Sequence, residues 1–466
     1  MALILSCLVG PTAGLNLPAA WAHDGLTTKQ ERELGEKFLL YAKENLTLIE
    51  DPCVVDYVNK IGHYLVSQNP SPPPFAFDFF VVKQDVYNAF AGPGGHIFIY
   101  TGLLAAMDNE DQLAGILAHE IGHVFARHIS KQVAESKKIG LATVAGILAG
   151  IFLGGSPTAT GAIANTSIAA GQSLSLRYSR KHEVEADQLG LKYLTRAGYK
   201  GKALLDILSK IRQKQWFGSE QVPTYLSTHP AVEARMAYLD TWIQAHRDWK
   251  PNVRPPTRSG DFNKVRTRVI ALYGDISVAH RTFDAELRAD PADVLANYGK
   301  GLVLDREGNK KEAVDYLNRA LRVRPLDPDI LRDLGKSQFN LGNYEIARKN
   351  LESALAVRPN DPEGRLLLGR AQMMSQDLNS ALETFKGLVE KSPAYLPGTY
   401  YLGQTYGKLG RLAKAHYYLG MYYKEKGPAK TARFHLERAL ALSSGDQVRR
   451  EAIRKALKAL SAQKRK

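Results

Sequence analysis

The stretch Leu113-Ala-Gly-Ile-Leu-Ala-His-Glu-Ile-Gly-His-Val-Phe125 is apolar except for two histidines and one glutamate. An apolar run of this length predicts a buried helix, and the helical pattern around it extends over Asp111–His128. Residues four apart lie about 400° around a helix, so His119 and His123 point the same way and can bind one Zn²⁺. Glu120 lies between them, where it cannot easily be a ligand but can take a proton from a water molecule at the metal. The spacing therefore predicts a zinc site, with a chance occurrence of the motif in a helix as the alternative.

The third zinc ligand has to come from another part of the chain. His128 is nine residues past His119, which is about 900° of rotation and places it on the opposite side of a continuous helix. Glu183 and Asp187 fit better, because they lie four apart in a second predicted helix, Lys181–Ala197. One carboxylate can bind zinc while the other orients a ligand imidazole. A solvated acidic helix face is the alternative, and the run by itself favours it. Two histidines and one carboxylate leave a fourth position open, as a catalytic zinc requires.

Strands and further helices are predicted upstream of these site helices. Phe75–Val82 and His96–Tyr100 are rich in aromatic and β-branched residues, which predicts two strands. Gly92-Pro-Gly-Gly95 predicts the turn that precedes the second strand. Helices are predicted after Thr27-Thr28 and at Val54–Val66. The expected fold class of this half is α+β, mainly helical with a small sheet.

The C-terminal half of the chain repeats every 34 residues. The positions that share this period are Gly301, Gly335, Gly369 and Gly403, then Ala313, Ala347, Ala381 and Ala415, then Leu317, Leu351, Phe385 and Leu419, and finally Pro325, Pro359 and Pro393. Small residues let two antiparallel helices approach closely, large residues fill the gap between them, and proline ends the second helix. This period is typical of tetratricopeptide repeats. It predicts an all-α solenoid with a concave surface that fits peptides.

Additional helices flank these four repeats. Ala279 and Phe283 predict a degenerate repeat before them, and Ala432 and Leu436 predict one or two helices after them. Residues 446–466 carry eight Lys or Arg and two acidic residues, with apolar residues along one helical face. This basic amphipathic helix either caps the last repeat or attaches to an anionic membrane surface. The sequence leaves both interpretations open.

The N-terminus has the features of a targeting segment. Residues 1–22 contain no charged residue and end in Ala20-Trp-Ala22, a small-x-small pattern that is typical of a secretory cleavage site. We therefore expect a signal peptide that is removed before His23, and a compartment outside the cytoplasm. An apolar tail without a targeting role is the alternative.

The composition restricts the remaining classes of function. The 466 residues are 44% hydrophobic and 23% charged, which excludes a mainly disordered chain. Two cysteines, Cys7 and Cys53, are too few for a disulfide scaffold or a cysteine-ligated zinc or iron–sulfur site. The net charge of +15 favours anionic partners, but no nucleic-acid recognition motif is present, so we expect no nucleic-acid binding.

Several short motifs surround the two predicted site helices. In chain order they are Asn88-Ala-Phe-Ala-Gly-Pro-Gly-Gly95 with the following strand and Gly102-Leu-Leu104, the His-Glu-x-x-His motif, Ser179-Arg180, Glu183-Val-Glu-Ala-Asp187, and Thr228-His-Pro230 with Arg235. Together they resemble the HtpX-like gluzincin peptidases over roughly residues 30–245. The resemblance implies a gluzincin-type zinc metallopeptidase domain that holds one Zn²⁺ per chain. It also implies that Glu183 is the third ligand and that Asp187 orients the ligands from behind.

The secretory start and the repeats extend this resemblance to periplasmic family members of Gram-negative bacteria. This implies a zinc endopeptidase that degrades misfolded or stalled outer-membrane proteins and assists their assembly. Its repeats would dock the outer-membrane barrel-assembly machinery, and peripheral contact with the membrane is a further expectation. The alternative is a largely latent or non-enzymatic chaperone or adaptor. The complete set of ligands together with Glu120 favours an enzyme.

The expected domain organisation follows from these motifs and from the proline-rich stretch Lys250–Gly260, which predicts a linker. We expect a signal peptide at 1–22, the zinc metallopeptidase domain at 23–249, the linker at 250–260, tetratricopeptide repeats at 261–445 and the basic amphipathic helix at 446–466.

Three further predictions concern the substrate and the resting state of the site. Asn88–Tyr100 is expected to supply an edge strand with which an extended substrate pairs through its backbone; the residues expected there are Asn88, Gly95, His96, Ile97 and Phe98. Arg235 or His229 is expected to stabilise the developing oxyanion. His229 could instead occupy the fourth zinc position and keep the enzyme latent.

The segment Ile139–Gly155 is apolar and rich in glycine and alanine. It has 17 residues, fewer than the roughly 20 that a membrane-spanning helix needs. A loop that covers the active-site cleft, an insertion into the membrane surface and a true span all remain open.

Overall fold

The computed structural model describes residues 25–135, 178–217, 224–249, 251, 253, 255 and 259–463. The predicted signal peptide and the apolar segment Ile139–Gly155 lie outside these residues. Within the described ranges, no helix combines the length and the apolar character needed to cross a membrane.

The N-terminal half is mainly helical and contains one small sheet. Its strands are β1 (Asp78–Val82), β2 (Ala89–Ala91) and β3 (His96–Tyr100). Its described helices are α1 (Thr28–Asn45), α2 (Pro52–Ser67), α3 (Thr101–Ala106), α4 (Glu110–Phe125), α5 (His128–Glu135), α6 (Arg180–Arg196), α7 (Lys202–Phe217), α8 (Thr224–Thr228) and α9 (Val232–Ala245). The predicted α+β fold class is confirmed.

The two site helices, α4 and α6, begin at side-chain caps. Asn109 accepts a hydrogen bond from the backbone N–H of Gln112 at 3.1 Å, and Ser179 accepts one from that of His182 at 3.2 Å. Such caps satisfy N–H groups that have no partner within the helix. Both helices therefore start within one residue of the predicted positions.

Glycine allows α4 and α6 to pack side by side. A Cβ atom added to Gly122 of α4 would lie 2.7 Å from the carbonyl oxygen of Ala186, and one added to Gly190 of α6 would lie 3.1 Å from the backbone nitrogen of His119. Neither position has room for a side chain, so the close approach of the two backbones depends on these residues. This contact brings the His-Glu-x-x-His motif next to Glu183.

The sheet has the order β1–β3–β2, with β3 parallel to β1 and antiparallel to β2. The prediction that His96, Ile97 and Phe98 form an edge strand is therefore wrong, because β3 is hydrogen-bonded on both sides. Gly95 is not at an edge either. It lies in the tight turn before β3 with a φ of 89°, a conformation that favours glycine. Among the described strands, β2, which follows Asn88, pairs with β3 alone and is the outer strand on this side of the sheet.

The C-terminal half is a stack of helices. These are α10 (Ser259–Tyr273), α11 (Ile276–Ala289), α12 (Val294–Glu307), α13 (Lys310–Val323), α14 (Pro328–Asn340), α15 (Tyr344–Val357), α16 (Pro362–Met374), α17 (Leu378–Lys391), α18 (Leu396–Lys408), α19 (Leu412–Lys426), α20 (Ala429–Leu442) and α21 (Gln447–Gln463). They include the predicted degenerate repeat, α10 and α11, and two helices after the last regular repeat.

The periodic glycines and large residues meet as their spacing predicts. A Cβ atom added to Gly335 would lie 2.7 Å from Leu351, and one added to Gly369 would lie 2.5 Å from Phe385. The same pairing joins Gly301 to Leu317 and Gly403 to Leu419. Each pair of helices is therefore held at a distance set by one glycine and one large side chain.

Helix α10 belongs to both halves of the molecule. It begins at Ser259, inside the predicted linker, and its residues Phe262, Val265 and Val269 are buried in the core of the peptidase half. Ala271 of the same helix packs in the core of the first repeats. The predicted boundary at residues 260/261 thus falls in the first turn of a shared helix.

The apolar face of α21 packs against the helix before it. Ile453, Ala456 and Leu460 are buried in one cluster with Leu436 and Ala439 of α20. This arrangement supports the interpretation of α21 as a cap. Membrane contact through the same face would require α21 to leave α20.

Candidate metal centre

Three helices bring four buried side chains to one point. His119 and His123 come from α4, with their Nε2 atoms 3.0 Å apart. Glu183 comes from α6, and its carboxylate oxygens lie 3.5 Å from the Nε2 atom of each histidine. His229, just after α8, places Nδ1 3.2 Å from Glu183. The four potential ligand atoms all lie within 4.8 Å of one another. We call these four residues the metal cluster.

The chemistry of the metal cluster fits a zinc ion. Three imidazoles and one carboxylate form a donor set that zinc accepts in tetrahedral geometry. Within the described part of the chain, both carboxylate oxygens of Glu120 and Nε2 of His229 are buried without a hydrogen bond, and the shortest contact between these groups is 3.5 Å. Burying polar atoms without partners costs free energy. A metal ion and its ligands would provide the missing partners.

Asp187 and Arg235 lie directly behind the metal cluster. The Oδ1 atom of Asp187 is 2.8 Å from Nδ1 of His119, and its carboxylate accepts two hydrogen bonds from Arg235 at 2.7 and 2.8 Å. An imidazole bound in this way presents its other nitrogen to the metal. This is the geometry that the expected role of Asp187 requires.

Arg235 does not have the geometry expected of an oxyanion donor. Its buried guanidinium is already paired with Asp187 and lies 2.6 Å from Glu183, so its charge is neutralised by two carboxylates behind the ligands. Burial alone would raise the pKa of Glu183, but Arg235 and the neighbouring histidines hold it well below its usual range. Arg235 therefore keeps Glu183 ionised and in place.

Glu120 is fully buried beside the cluster. Burial raises its pKa above the usual value, while the imidazoles of His229 and His119 oppose the rise. A carboxyl group with a raised pKa can accept a proton and return it near neutral pH. The position and environment of Glu120 therefore suit proton transfer.

His229 lies between Glu120 and Glu183, with Nε2 3.5 Å from Glu120 and Nδ1 3.2 Å from Glu183. Its ring stacks on Tyr225, with the ring centroids 4.3 Å apart. This position is compatible both with a fourth metal ligand and with a group that contacts a reacting carbonyl. The two predictions for His229 therefore stay open.

Two residues of this region escape the sequence prediction. The prediction that His128 faces the opposite side of α4 is wrong, because α4 ends at Phe125 and Arg127 adopts a left-handed φ of 54°. His128 then starts α5 with Nδ1 only 2.9 Å from Nδ1 of His123. The second residue is Tyr178, whose ring stacks on His123 with a centroid distance of 3.8 Å.

Tyr178 also connects the metal cluster to β2. Its hydroxyl donates a hydrogen bond to the carbonyl oxygen of Ala91 in β2 at 3.3 Å. Since the same side chain contacts His123, the outer edge of β2 lies next to the metal cluster. No local sequence pattern identifies Tyr178 as a site residue, because its place depends on how α4 and β2 come together.

Comparisons with known proteins agree with the two halves of the fold. Residues 56–243 match the model of Peptidase family M48, and residues 274–329 and 332–395 match the tetratricopeptide repeat. The chain is 30% identical over 304 residues to the beta-barrel assembly-enhancing protease of Yersinia pestis, covering 64% of this chain and 61% of that protein. It is also 30% identical over 327 residues to the protein of the same name from Escherichia coli strain K12, covering 68% of this chain and 65% of that protein.

The similarity to solved structures covers part of the chain. The crystal structure of MamA has a TM-score of 0.32 and 19% identity, over 37% of this chain and 95% of that chain. The family matches show that the chain carries a Peptidase M48 domain followed by tetratricopeptide repeats, as its motifs predict. It spans about three fifths of the length of the curated relatives it matches.

Proposed function

We propose that this chain is a zinc-dependent endopeptidase that cleaves unfolded or misassembled polypeptides. The observation that carries the proposal is the buried metal cluster beside the carboxylate of Glu120, which has no hydrogen bond among the described residues. His119, His123 and Glu183 would hold one zinc ion per chain. When bound, zinc supplies the Lewis acidity that activates water and polarises a peptide carbonyl.

The residues around the metal cluster would perform the proton transfers and hold the ligands. Glu120 takes the proton of the attacking water and passes it to the leaving amine, for which its buried position and raised pKa are suited. Asp187 orients His119, and Arg235 fixes Asp187 and Glu183. His229 is the group we assign to the developing oxyanion when it is not a metal ligand.

The outer edge of β2 is the proposed place for the substrate backbone. An extended peptide can add to the edge of a strand through main-chain hydrogen bonds. Because β2 is buried in the described structure, the side chains that cover it would have to move first. The substrate would replace the hydrogen bond between Tyr178 and Ala91 and would then run past His123. Because pairing of this kind reads the backbone more than the side chains, we expect broad specificity for unfolded chains.

The relatives named beta-barrel assembly-enhancing proteases support a more specific proposal for cellular role. We propose that the chain acts in the periplasm on misfolded or stalled outer-membrane proteins, and that its repeats dock the outer-membrane barrel-assembly machinery. The concave face of such repeats suits protein partners. Peripheral membrane contact remains part of this proposal.

The direct test is cleavage of an unfolded polypeptide by the chain from His23 onward. Reduced, alkylated casein is incubated with this protein and with the Glu120→Gln variant, each with and without a chelator. We expect cleavage by the parent only, its loss with the chelator and its return with zinc. Cleavage by Glu120→Gln at the parent rate would contradict the proposed mechanism.

A second test addresses latency. If His229 occupies the fourth metal position at rest, His229→Ala should cleave casein faster than the parent. If His229 stabilises the oxyanion, the same variant should be slower, with the zinc content unchanged in both cases. Zinc binding without cleavage by any of these proteins would favour the alternative, a chaperone or adaptor that works through its repeats.

A further inference from the structure

His128 touches the metal cluster from the side that faces away from the metal. It is fully buried, and its Nδ1 atom lies 2.9 Å from Nδ1 of His123. The other ring nitrogen of His123, Nε2, is the atom directed at His119 and Glu183. His128 therefore contacts a proposed ligand without being part of the metal cluster.

The backbone between α4 and α5 is held so that His128 can make this contact. Arg127 has a left-handed φ of 54°, which turns the chain back at the end of α4. Its guanidinium lies 2.7 Å from the carboxylate of Glu31 and 2.5 Å from the carbonyl oxygen of Leu26. These contacts with the start of the described chain fix the conformation of a residue that would otherwise disfavour it.

A carboxylate next to the second ring nitrogen of His128 determines which nitrogens of His128 and His123 carry a proton. The Oε2 atom of Glu185 lies 3.1 Å from Nε2 of His128. A carboxylate only accepts hydrogen bonds, so Nε2 of His128 carries a proton and donates it to Glu185. In a neutral imidazole Nδ1 is then an acceptor, and it accepts from the Nδ1–H of His123. The lone pair of His123 is thereby left on Nε2, toward the metal cluster.

We infer that His128 is a positioning residue for zinc, which holds His123 in the tautomer and orientation that bind the metal. Glu185 supports it through the second hydrogen bond. His128 and Glu185 would together orient His123 in the way that Asp187 orients His119. The inference rests on the proposed zinc site, because it concerns how that site holds its ion.

The experiment measures zinc affinity by competition with a chromophoric chelator. His128→Leu removes the acceptor at similar volume, whereas His128→Asn keeps an acceptor near the position of Nδ1. Loss of a hydrogen bond to a ligand histidine typically weakens metal binding by about 10–100-fold. We expect a loss of this size for His128→Leu and an affinity close to that of the parent for His128→Asn.

Two further measurements separate positioning from folding. Glu185→Gln alters a half-exposed side chain, and we expect it to weaken zinc binding by less than His128→Leu while the metal-free protein keeps its melting temperature. The absorption spectrum of the Co²⁺-substituted protein should change in His128→Leu and return toward the parent spectrum in His128→Asn. His63→Leu, which removes a histidine outside the metal cluster, serves as the control and should bind zinc like the parent.

The outcomes distinguish the inference from the proposal on which it rests. Equal zinc affinity and equal Co²⁺ spectra for the parent, His128→Leu and Glu185→Gln would overturn the positioning role and leave the zinc peptidase intact. A His128→Asn variant as weak as His128→Leu would also contradict it. Failure of the parent itself to bind zinc would overturn both.

Discussion

Two clusters of buried charge in this molecule differ in how their polar atoms are paired. In the first, which we call the Arg268 cluster, Arg268 of α10 donates to Asp51 of the peptidase half at 2.6 and 2.9 Å and also donates to Asp333 of the repeats. Tyr298 donates to Asp333 at 2.5 Å. In the second, the metal cluster, the carboxylate of Glu120 has no hydrogen bond within the described residues.

The difference indicates two different uses of buried charge. The Arg268 cluster is closed: each charged group in it is satisfied by another part of the same chain, so it joins the peptidase half to the repeats. We call the metal cluster open, because Glu120 and Nε2 of His229 have no hydrogen bond among the described residues and a metal ion with its ligands would supply the missing partners. Natural proteins tolerate unpaired buried groups mainly where function requires them.

Removing the arginine of the closed cluster should have the largest effect on stability. Arg268→Met removes the guanidinium that pairs with two buried carboxylates, Asp51 and Asp333, and the loss of one partner from a buried ion pair costs about 3–5 kcal/mol. The free energy of unfolding, from denaturant titration, measures the loss. Arg348→Met is the matched control, because Arg348 pairs with Glu345 and Glu352 at the surface and should lose less than about 1 kcal/mol. Equal losses in the two variants would contradict the account of the Arg268 cluster.

Zinc removal should affect the open cluster by a similar amount. A ligand at a thousand times its Kd stabilises the native state by about 4 kcal/mol. We expect the melting temperature of the parent to fall on chelation and to recover with zinc. Arg268→Met should show the same shift from a lower starting point, since the two clusters are separate. A melting temperature of the parent that does not respond to zinc would argue against a metal in the open cluster.

Asp187→Asn should lower the zinc affinity of the metal cluster and leave the hydrogen bonds of the Arg268 cluster intact. The loss of the hydrogen bond to His119 is expected to reduce zinc affinity about 10–100-fold, or roughly 1.4–2.7 kcal/mol. Chelator competition measures the affinity, and Asp333→Asn provides the comparison because it belongs to the Arg268 cluster. Weaker zinc binding in Asp333→Asn than in Asp187→Asn would reverse the expected order.

As the pH falls, the metal cluster should lose zinc before the Arg268 cluster loses its contribution to stability. This is the smallest of the expected effects on stability. Burial alone would raise the pKa of Asp333, but Arg268 and Arg332 lower it below its usual value. A lowered folded pKa means that the stabilisation is complete above the unfolded value of about 3.9 and is lost as the pH falls further, by about 1.4 kcal/mol per pKa unit. Imidazole ligands must be neutral, so zinc should leave at higher pH.

The difference in unfolding free energy between the parent and Asp333→Asn measures this effect. It should stay constant from pH 7 to about pH 5 and shrink below about pH 4. Bound zinc, measured on the same samples, should decline first. Loss of both signals at one pH would show that the clusters are not independent.

Periodic features of the fold could be predicted from the sequence. His119 and His123 are one helical turn apart, and the repeat glycines recur at a fixed interval, so spacing alone places them. The four-residue spacing of Glu183 and Asp187 likewise places them on one face of a helix, whereas the assignment of Glu183 as the third ligand depends on the family resemblance. In each case a local pattern with a known period carries the information.

The features that depend on a single backbone angle or on distant packing could not be predicted. The left-handed conformation of Arg127 breaks α4 and turns His128 toward His123, and nothing in the local sequence requires it. The pairing of β3 on both sides depends on the order of strands, which the short segment around Ala91 does not reveal. Arg268 joins residues from three separate parts of the chain, so no spacing rule identifies it.

The zinc content of purified protein tests the central claim most directly, when it is measured together with casein cleavage for the parent, His119→Ala and Glu120→Gln. We predict one zinc ion per chain in the parent and in Glu120→Gln, and a strong loss of zinc in His119→Ala, with cleavage by the parent alone. This combination would mean that the open cluster holds a metal and that Glu120 acts on the substrate side of it. Full zinc content in His119→Ala, or loss of zinc in Glu120→Gln, would contradict the account.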